Sequence, residues 1–275
     1  MEKKKYKILV LSDFKNSTAS ILKSTARLAN MIDGAVEFFY VKKPTEVIKQ
    51  DNQFSAIRTI NSQFSASEKK IKTLLNSIAE DYNVKIKYKF AIGNVKNEII
   101  SHIKEVNPDV IVLGKRKQKF LNFGGDNMTQ FILKHHEGPV FIASEGNVLE
   151  PNKKLSLGIF QGKHKPLDID FADQLIKNTN VPLKSFKIGE TPSQLKAGKG
   201  VFSSLKTVNY VFEKGDNAID NLSKYLSKNK IDLLCVGRDK APAKDTVNLM
   251  KYDLRDLIGK LNVSMLISGR QPYEL

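Results

Sequence analysis

Cysteine is almost missing. Cys235 is the single one in 275 residues, which excludes any intramolecular disulfide and any multi-cysteine zinc or iron–sulfur centre. It fits a reducing compartment, with the cytoplasm as the expected location. Tryptophan is absent altogether, and no aromatic pair is interleaved with basic residues in the way an RNA-stacking sheet requires. No stretch approaches the roughly 18–20 uninterrupted apolar residues of a membrane span; the longest runs are strand-sized, such as 110–114. Lys3, Lys4 and Lys5 before Ile8, Leu9, Val10 and Leu11 imitate the start of a secretory signal, but Ser12, Asp13 and Lys15 end the apolar run too early. A soluble, unprocessed chain is expected. Acidic residues are outnumbered, 29 against 45 Lys and Arg, for a formal net charge of +16. That surface favours anionic partners without naming one.

What is present is a globular balance of 41% hydrophobic and 27% charged residues, in a chain longer than one compact domain usually needs. Short apolar runs alternate with segments of helical spacing. Lys7–Ser12 reads as a strand, followed by a helix capped by Ser17 or Thr18, carrying Ile21, Leu22, Ala26, Leu28 and Ala29, and stopped at Gly34. Further strands are expected at 35–41, 84–91, 109–114 and 139–144. A long helix is expected over 56–82, and shorter ones over 94–106 and 128–136. This β-α alternation predicts a mostly parallel sheet with helices on both faces.

The second half repeats the first. Gly93 begins a helix that leads to Pro108-Asp109-Val110-Ile111-Val112-Leu113-Gly114, and Gly215 begins one that leads to Ile231-Asp232-Leu233-Leu234-Cys235-Val236-Gly237. Asp109 to Asp232 and Gly114 to Gly237 share one offset, 123 residues, so one domain is written twice. Ser12 maps near Phe160, a wider offset, which implies that the second copy lacks the long helix. The expected domains are 1–147 and 151–275, joined at Pro151-Asn152-Lys153-Lys154.

The run Lys7-Ile8-Leu9-Val10-Leu11-Ser12-Asp13, the segment 108–114, and the closing piece from Met128 through His135-His136 to Pro139-Val140 together resemble the universal stress protein family, as a tandem pair. The resemblance implies an open five-stranded parallel sheet of order 3-2-1-4-5 in each domain. It implies ATP or a related nucleotide at the carboxyl ends of the strands in binding members. It also implies pairing of the final strands, near Val140–Ala143 and Met265–Ile267, as an intramolecular pseudo-dimer. Carried over residue by residue, the nucleotide set is Leu11, Ser12 and Asp13 after the first strand and Tyr40 and Val41 at the end of the second. Gly114, Lys115, Arg116 and Lys117 form the phosphate loop, and Asp126, Asn127 and Met128 stand at the last helix.

The family phosphate motif, Gly-x-x-Gly and then Gly-Ser or Gly-Thr at a helix start, places bare backbone and amide donors against phosphate. Here Gly114 survives, Lys117 replaces the second glycine, and Asp126-Asn127 replace Gly-Ser. A carboxylate at Asp126 repels phosphate unless Mg bridges them, whereas Lys115, Arg116, Lys117 and Lys119 with Gly124-Gly125 offer other ligands for an anion. A plain helix N-cap and a solvated lysine loop account for the same residues. In the second copy Gly237 is followed by Arg238-Asp239-Lys240, Lys251-Tyr252 take the phosphate positions and Gln161 stands near the Asp13 equivalent, so that copy reads as a structural partner without ligand.

No P-loop, zincin or EF-hand pattern occurs. His135 and His136 point in different directions at a helix end and are expected at the surface. Cys235 sits in an apolar run as a small buried hydrophobe. Three readings remain open. The first is a non-enzymatic stress-response or regulatory protein binding an adenine nucleotide, ATP or AMP, in the first domain. The second is an interaction scaffold whose basic surface recruits an acidic protein partner, and the third is a slow ATP hydrolase.

Overall fold

The computed structural model describes residues 5–14, 17–44, 53–115, 128–160, 167–189, 206–238 and 254–269. It divides into two compact units, Met1–Gly114 and Lys115–Leu275.

The first unit contains β1 (Tyr6–Leu11), α1 (Thr18–Ile32), β2 (Gly34–Lys42), α2 (Gln53–Tyr82), β3 (Ile86–Ile92), α3 (Val95–Val106) and β4 (Val110–Gly114). Its strands lie in the order β3-β2-β1-β4, all parallel, with Leu9 beside Glu37 on one flank and Ile111 on the other. β1 is the centre of the core: Ile8, Leu9, Val10 and Leu11 are all buried, as an uninterrupted apolar run in a parallel sheet requires. α1 turns Ile21, Leu22, Leu28, Ala29 and Ile32 to this core. The residue that stops α1 is Asp33, in the left-handed region at φ 56° with its N–H donating to the Ala29 carbonyl, where the sequence pointed to Gly34. Gly34 instead opens β2, where a Cβ would stand 2.5 Å from Ile8 Cδ1. α3 begins at Asn94, whose side chain accepts from the Asn97 N–H at 3.2 Å, a cap of the expected kind.

The second unit contains α4 (Met128–His135), β5 (Val140–Ala143), β6 (Leu157–Phe160), α5 (Ala172–Lys177), β7 (Leu183–Gly189), β8 (Thr207–Glu213), α6 (Ala218–Lys228), β9 (Leu233–Gly237), α7 (Leu254–Lys260) and β10 (Ser264–Ser268). The second copy's strands run β8-β7-β6-β9-β10, the 3-2-1-4-5 order implied by the resemblance, and are parallel. β5 then adds antiparallel to β10, with Ile142 opposite Met265, Phe141 opposite Leu266 and Val140 opposite Ile267. The two final strands therefore pair within one chain, as the pseudo-dimer expectation required.

Both copies use the same device where their first and fourth strands start. Asp109 accepts from the Lys7 N–H at 2.7 Å while its own N–H donates to the Lys7 carbonyl. Asp232 does the same with Ser156, again at 2.7 Å. The connection between β7 and β8 is 17 residues (190–206), against 43 (43–85) between β2 and β3, too short for a counterpart of the 30-residue α2. Residue types on that face change accordingly. Phe38 beside Tyr88 and Tyr40 beside Phe90 in the first unit become Ser185 beside Asn209 and Lys187 beside Val211 in the second.

Candidate functional site

At the carboxyl end of β1 the chain leaves the sheet through Ser12, Asp13 and Phe14. Ser12 Oγ and Thr18 Oγ1 share a hydrogen bond of 2.9 Å, and Ser12 Oγ also accepts from the Phe14 N–H at 3.3 Å, which ties the strand exit to the first turn of α1. Phe14 is held in the left-handed region at φ 53°, a conformation costing about 1–2 kcal/mol for a residue with a Cβ. Its ring lies 5.7 Å from Tyr40 and 6.2 Å from Phe38, and Tyr40 stacks on Phe90 at 5.2 Å. These rings build an aromatic wall behind the exit of β1. Val41 lies beside Tyr40 on β2, and the next carbonyl, of Lys42, accepts from the Gly93 N–H at 3.1 Å ahead of α3. Gly114 ends β4; a Cβ there would run into Ile21 Cδ1, so the glycine lets α1 lie close against the strand.

Leu11, Ser12, Asp13, Tyr40, Val41 and Gly114 are thus gathered at the carboxyl ends of β1 and the two strands that flank it, where open α/β sheets place their ligands.

The remaining candidates divide. Lys115 belongs to the second unit, where its ammonium donates to the Leu261 carbonyl just beyond α7 and its N–H donates to Ala143 at 2.8 Å. Burial holds the Lys115 ammonium below its ordinary pKa. Met128 is the first residue of α4. Arg116, Lys117, Asp126 and Asn127 lie outside the described residues, as do Lys119, Gly124 and Gly125.

In the second copy, Arg238 stands 123 residues after Lys115 and does the same work. Its guanidinium donates to the His136 carbonyl at 2.6 Å, Gly138 at 2.5 Å and Leu133 at 3.5 Å, closing the end of α4. Burial pushes it down to about 10. Cations on helix-end carbonyls are favourable there. This role of the residue after each glycine was missed by sequence reasoning; the signal that could have found it is the shared offset of Lys115 and Arg238. Gln161, Asp239, Lys240, Lys251 and Tyr252 lie outside the described residues. Of the two adjacent histidines, His135 is exposed as expected and hydrogen-bonded to the Phe131 carbonyl. His136 is only 7% exposed, because it follows the last turn inward beneath Arg238.

A second cluster lies on the α3 side of β2 and β3. His102, 3% exposed, has Nε2 2.5 Å from Glu37 and Nδ1 3.2 Å from Lys89 Nζ and 3.3 Å from Glu105. Lys89 and Glu105 are 2.6 Å apart. Glu37 and Glu105 also line a groove of about 1180 Å³ at the amino ends of the strands, with Lys7, Lys87, Asp33 and Glu80. Sequence reasoning passed over this cluster; its one local trace is the i, i+3 spacing of His102 and Glu105. Among the described residues there is no grouping of three His, Cys, Asp or Glu suited to a metal and no helix long and apolar enough to cross a membrane.

Residues 6–143 match the model of the universal stress protein family. A universal stress protein from Archaeoglobus fulgidus DSM 4304 is similar over 96% of this chain and 98% of its own, with TM-score 0.66 and 15% identity. A protein of unknown function from Pseudomonas aeruginosa PAO1 is similar over 97% and 92%, with TM-score 0.54 and 11% identity. No curated protein sequence is a significant match. At these identities the structural likeness establishes the tandem α/β fold, and with the family match covering β1 to β5 the chain belongs to the universal stress protein family.

Proposed function

We infer that this protein is a non-enzymatic stress-response or regulatory protein whose first copy binds an adenine nucleotide at the carboxyl ends of β1, β2 and β4. The observation that carries the reading is the convergence of Ser12, Asp13, Val41 and Gly114 on the exit of β1, the positions that the family resemblance assigns to adenosine and the first phosphate. Asp13 would accept from ribose hydroxyls, and the Val41 backbone would meet the base edge. The bare backbone at Gly114 would admit phosphate.

Lys115 is the point of departure from an ATP-clamping site. Its ammonium is on the Leu261 carbonyl, so nucleoside recognition carries more of the affinity than phosphate contacts on this residue would. A monophosphate is therefore expected to bind about as well as ATP. Titration calorimetry with ATP, AMP and inorganic phosphate, each with and without magnesium, tests this. Asp13→Ala is expected to weaken AMP binding by about tenfold or more, the worth of a hydrogen bond to a charged group. Absence of heat with every ligand would leave the interaction scaffold with an acidic protein partner as the reading. Release of phosphate from ATP at a rate that falls in Asp13→Ala would favour the hydrolase.

A further inference from the structure

The His102 cluster offers Nδ1 two partners that no single protonation state of the ring can use together. Nε2 lies 2.5 Å from the Glu37 carboxylate, so that nitrogen carries a proton. Nδ1 faces two partners of opposite kind, the Lys89 ammonium at 3.2 Å, which can only donate, and Glu105 Oε2 at 3.3 Å, which can only accept. A neutral ring accepts from Lys89; a charged ring donates to Glu105 and turns away the Lys89 N–H. The Lys89–Glu105 pair at 2.6 Å is available in both states. Lys89 first and the His102 ring second hold the Glu105 carboxyl below its usual range.

The duplicate copy supplies an independent observation. His102, 123 residues on, becomes Tyr225 on α6, and the strand pair Phe39 beside Lys89 becomes Phe186 beside Tyr210. In the first unit the ring of His102 lies 4.3 Å from Phe39. In the second, Tyr225 packs 4.9 Å from Tyr210, 5.8 Å from Phe186 and 5.8 Å from Phe212. The same place in the same fold is filled by aromatic side chains in one copy and by an ionic cluster in the other. Helix docking on this sheet therefore does not require the charges, and ion pairs as exposed as Lys89 and Glu105 add little stability of their own.

We propose that His102 is a pH-responsive switch between α3 and the strands β2 and β3, in which one proton exchanges the partner of Nδ1 from Lys89 to Glu105. The proton arrives from water at Nδ1, Nε2–H stays on Glu37, and the Lys89 ammonium leaves the ring for Glu105 and solvent. The groups facing the ring are Glu37 from β2, Lys89 from β3 and Glu105 from α3 itself. Lys87 stands on the same face of β3, and Lys7 on β1 is occupied by the Val106 carbonyl at 2.9 Å. One added proton raises the charge of this set by one unit. It thereby alters the charge on the groove wall that Glu37 and Glu105 form.

The test is nitrogen-15 NMR of the full chain labelled at histidine and lysine, as the pH is lowered from alkaline to acidic. His102→Tyr, which copies Tyr225, identifies the His102 signals. The expected result is that Nε2 stays protonated at both ends and Nδ1 gains its proton on acidification. The Lys89 side-chain shift should follow the same curve, and that step should vanish in His102→Tyr. A neutral ring protonated at Nδ1, or a Lys89 shift that ignores the imidazole transition, would overturn the proposal. The double variant Lys89→Tyr/His102→Tyr reproduces the packing of the second copy. It is expected to fold and to lose the His102-dependent part of the pH response of α3 hydrogen exchange; retention of the full response would also overturn it.

Discussion

Cys235 shows how one residue's chemistry is set by where the fold puts it. It is wholly buried on β9 between β10 and β6, and burial pushes its thiol well above the ordinary value. The folded state therefore keeps a proton that the unfolded chain releases above about pH 8.5. The stabilisation is fully present below that pH and is lost as pH rises beyond it. In urea titrations the midpoint is expected to fall above about pH 9, and to fall less steeply in Cys235→Ala; equal slopes would assign the alkaline loss to other groups. The buried character of Cys235 was legible from the run Leu233-Leu234-Cys235-Val236. The use of Lys115 and Arg238 was not, because their acceptors, the carbonyls of Leu261 and of Leu133, His136 and Gly138, are more than 90 residues away in sequence. A lysine loop beside a glycine looks the same whether it meets phosphate or a helix end.

Among the elements, the strands were legible because a parallel sheet buries both faces and leaves unbroken apolar runs. β1, β4, β9 and β10 fall on the expected segments. Element ends were less legible: α1 stops on a left-handed Asp33, since aspartate tolerates that region and Gly34 is needed one step later for close packing on Ile8. The repeated Pro-Asp or Ile-Asp before the fourth strand has a physical reason. Asp109 and Asp232 each pair with the backbone opening the neighbouring strand, at Lys7 and Ser156. Asp109→Asn and Asp232→Asn are each expected to cost about 1–2 kcal/mol, the worth of a charged acceptor. Chemical denaturation reads the loss, and a change within error at either position would show that its copy does not rely on the device.

At the scale of the whole molecule, β10 has both edges occupied, by β9 and by the antiparallel β5. The outer edge of β10 is thus filled inside the chain, which removes a sticky edge. The full chain is accordingly expected to sediment as a monomer at micromolar concentration, and a dimer would locate association on another surface. Phe141→Ala, at a fully buried position opposite Leu266, is expected to cost about 3–5 kcal/mol. The sequence by itself determined the α/β class, the repeat, the short connection between β7 and β8 and the family, because these rest on periodicity, spacing and local runs. It also determined the residues gathered at the end of β1. Tertiary structure alone decided that Lys115 and Arg238 are held by helix ends and that His102 sits between two carboxylates and an ammonium. Those are contacts between distant segments, and only the folded chain brings their donors and acceptors within hydrogen-bond reach.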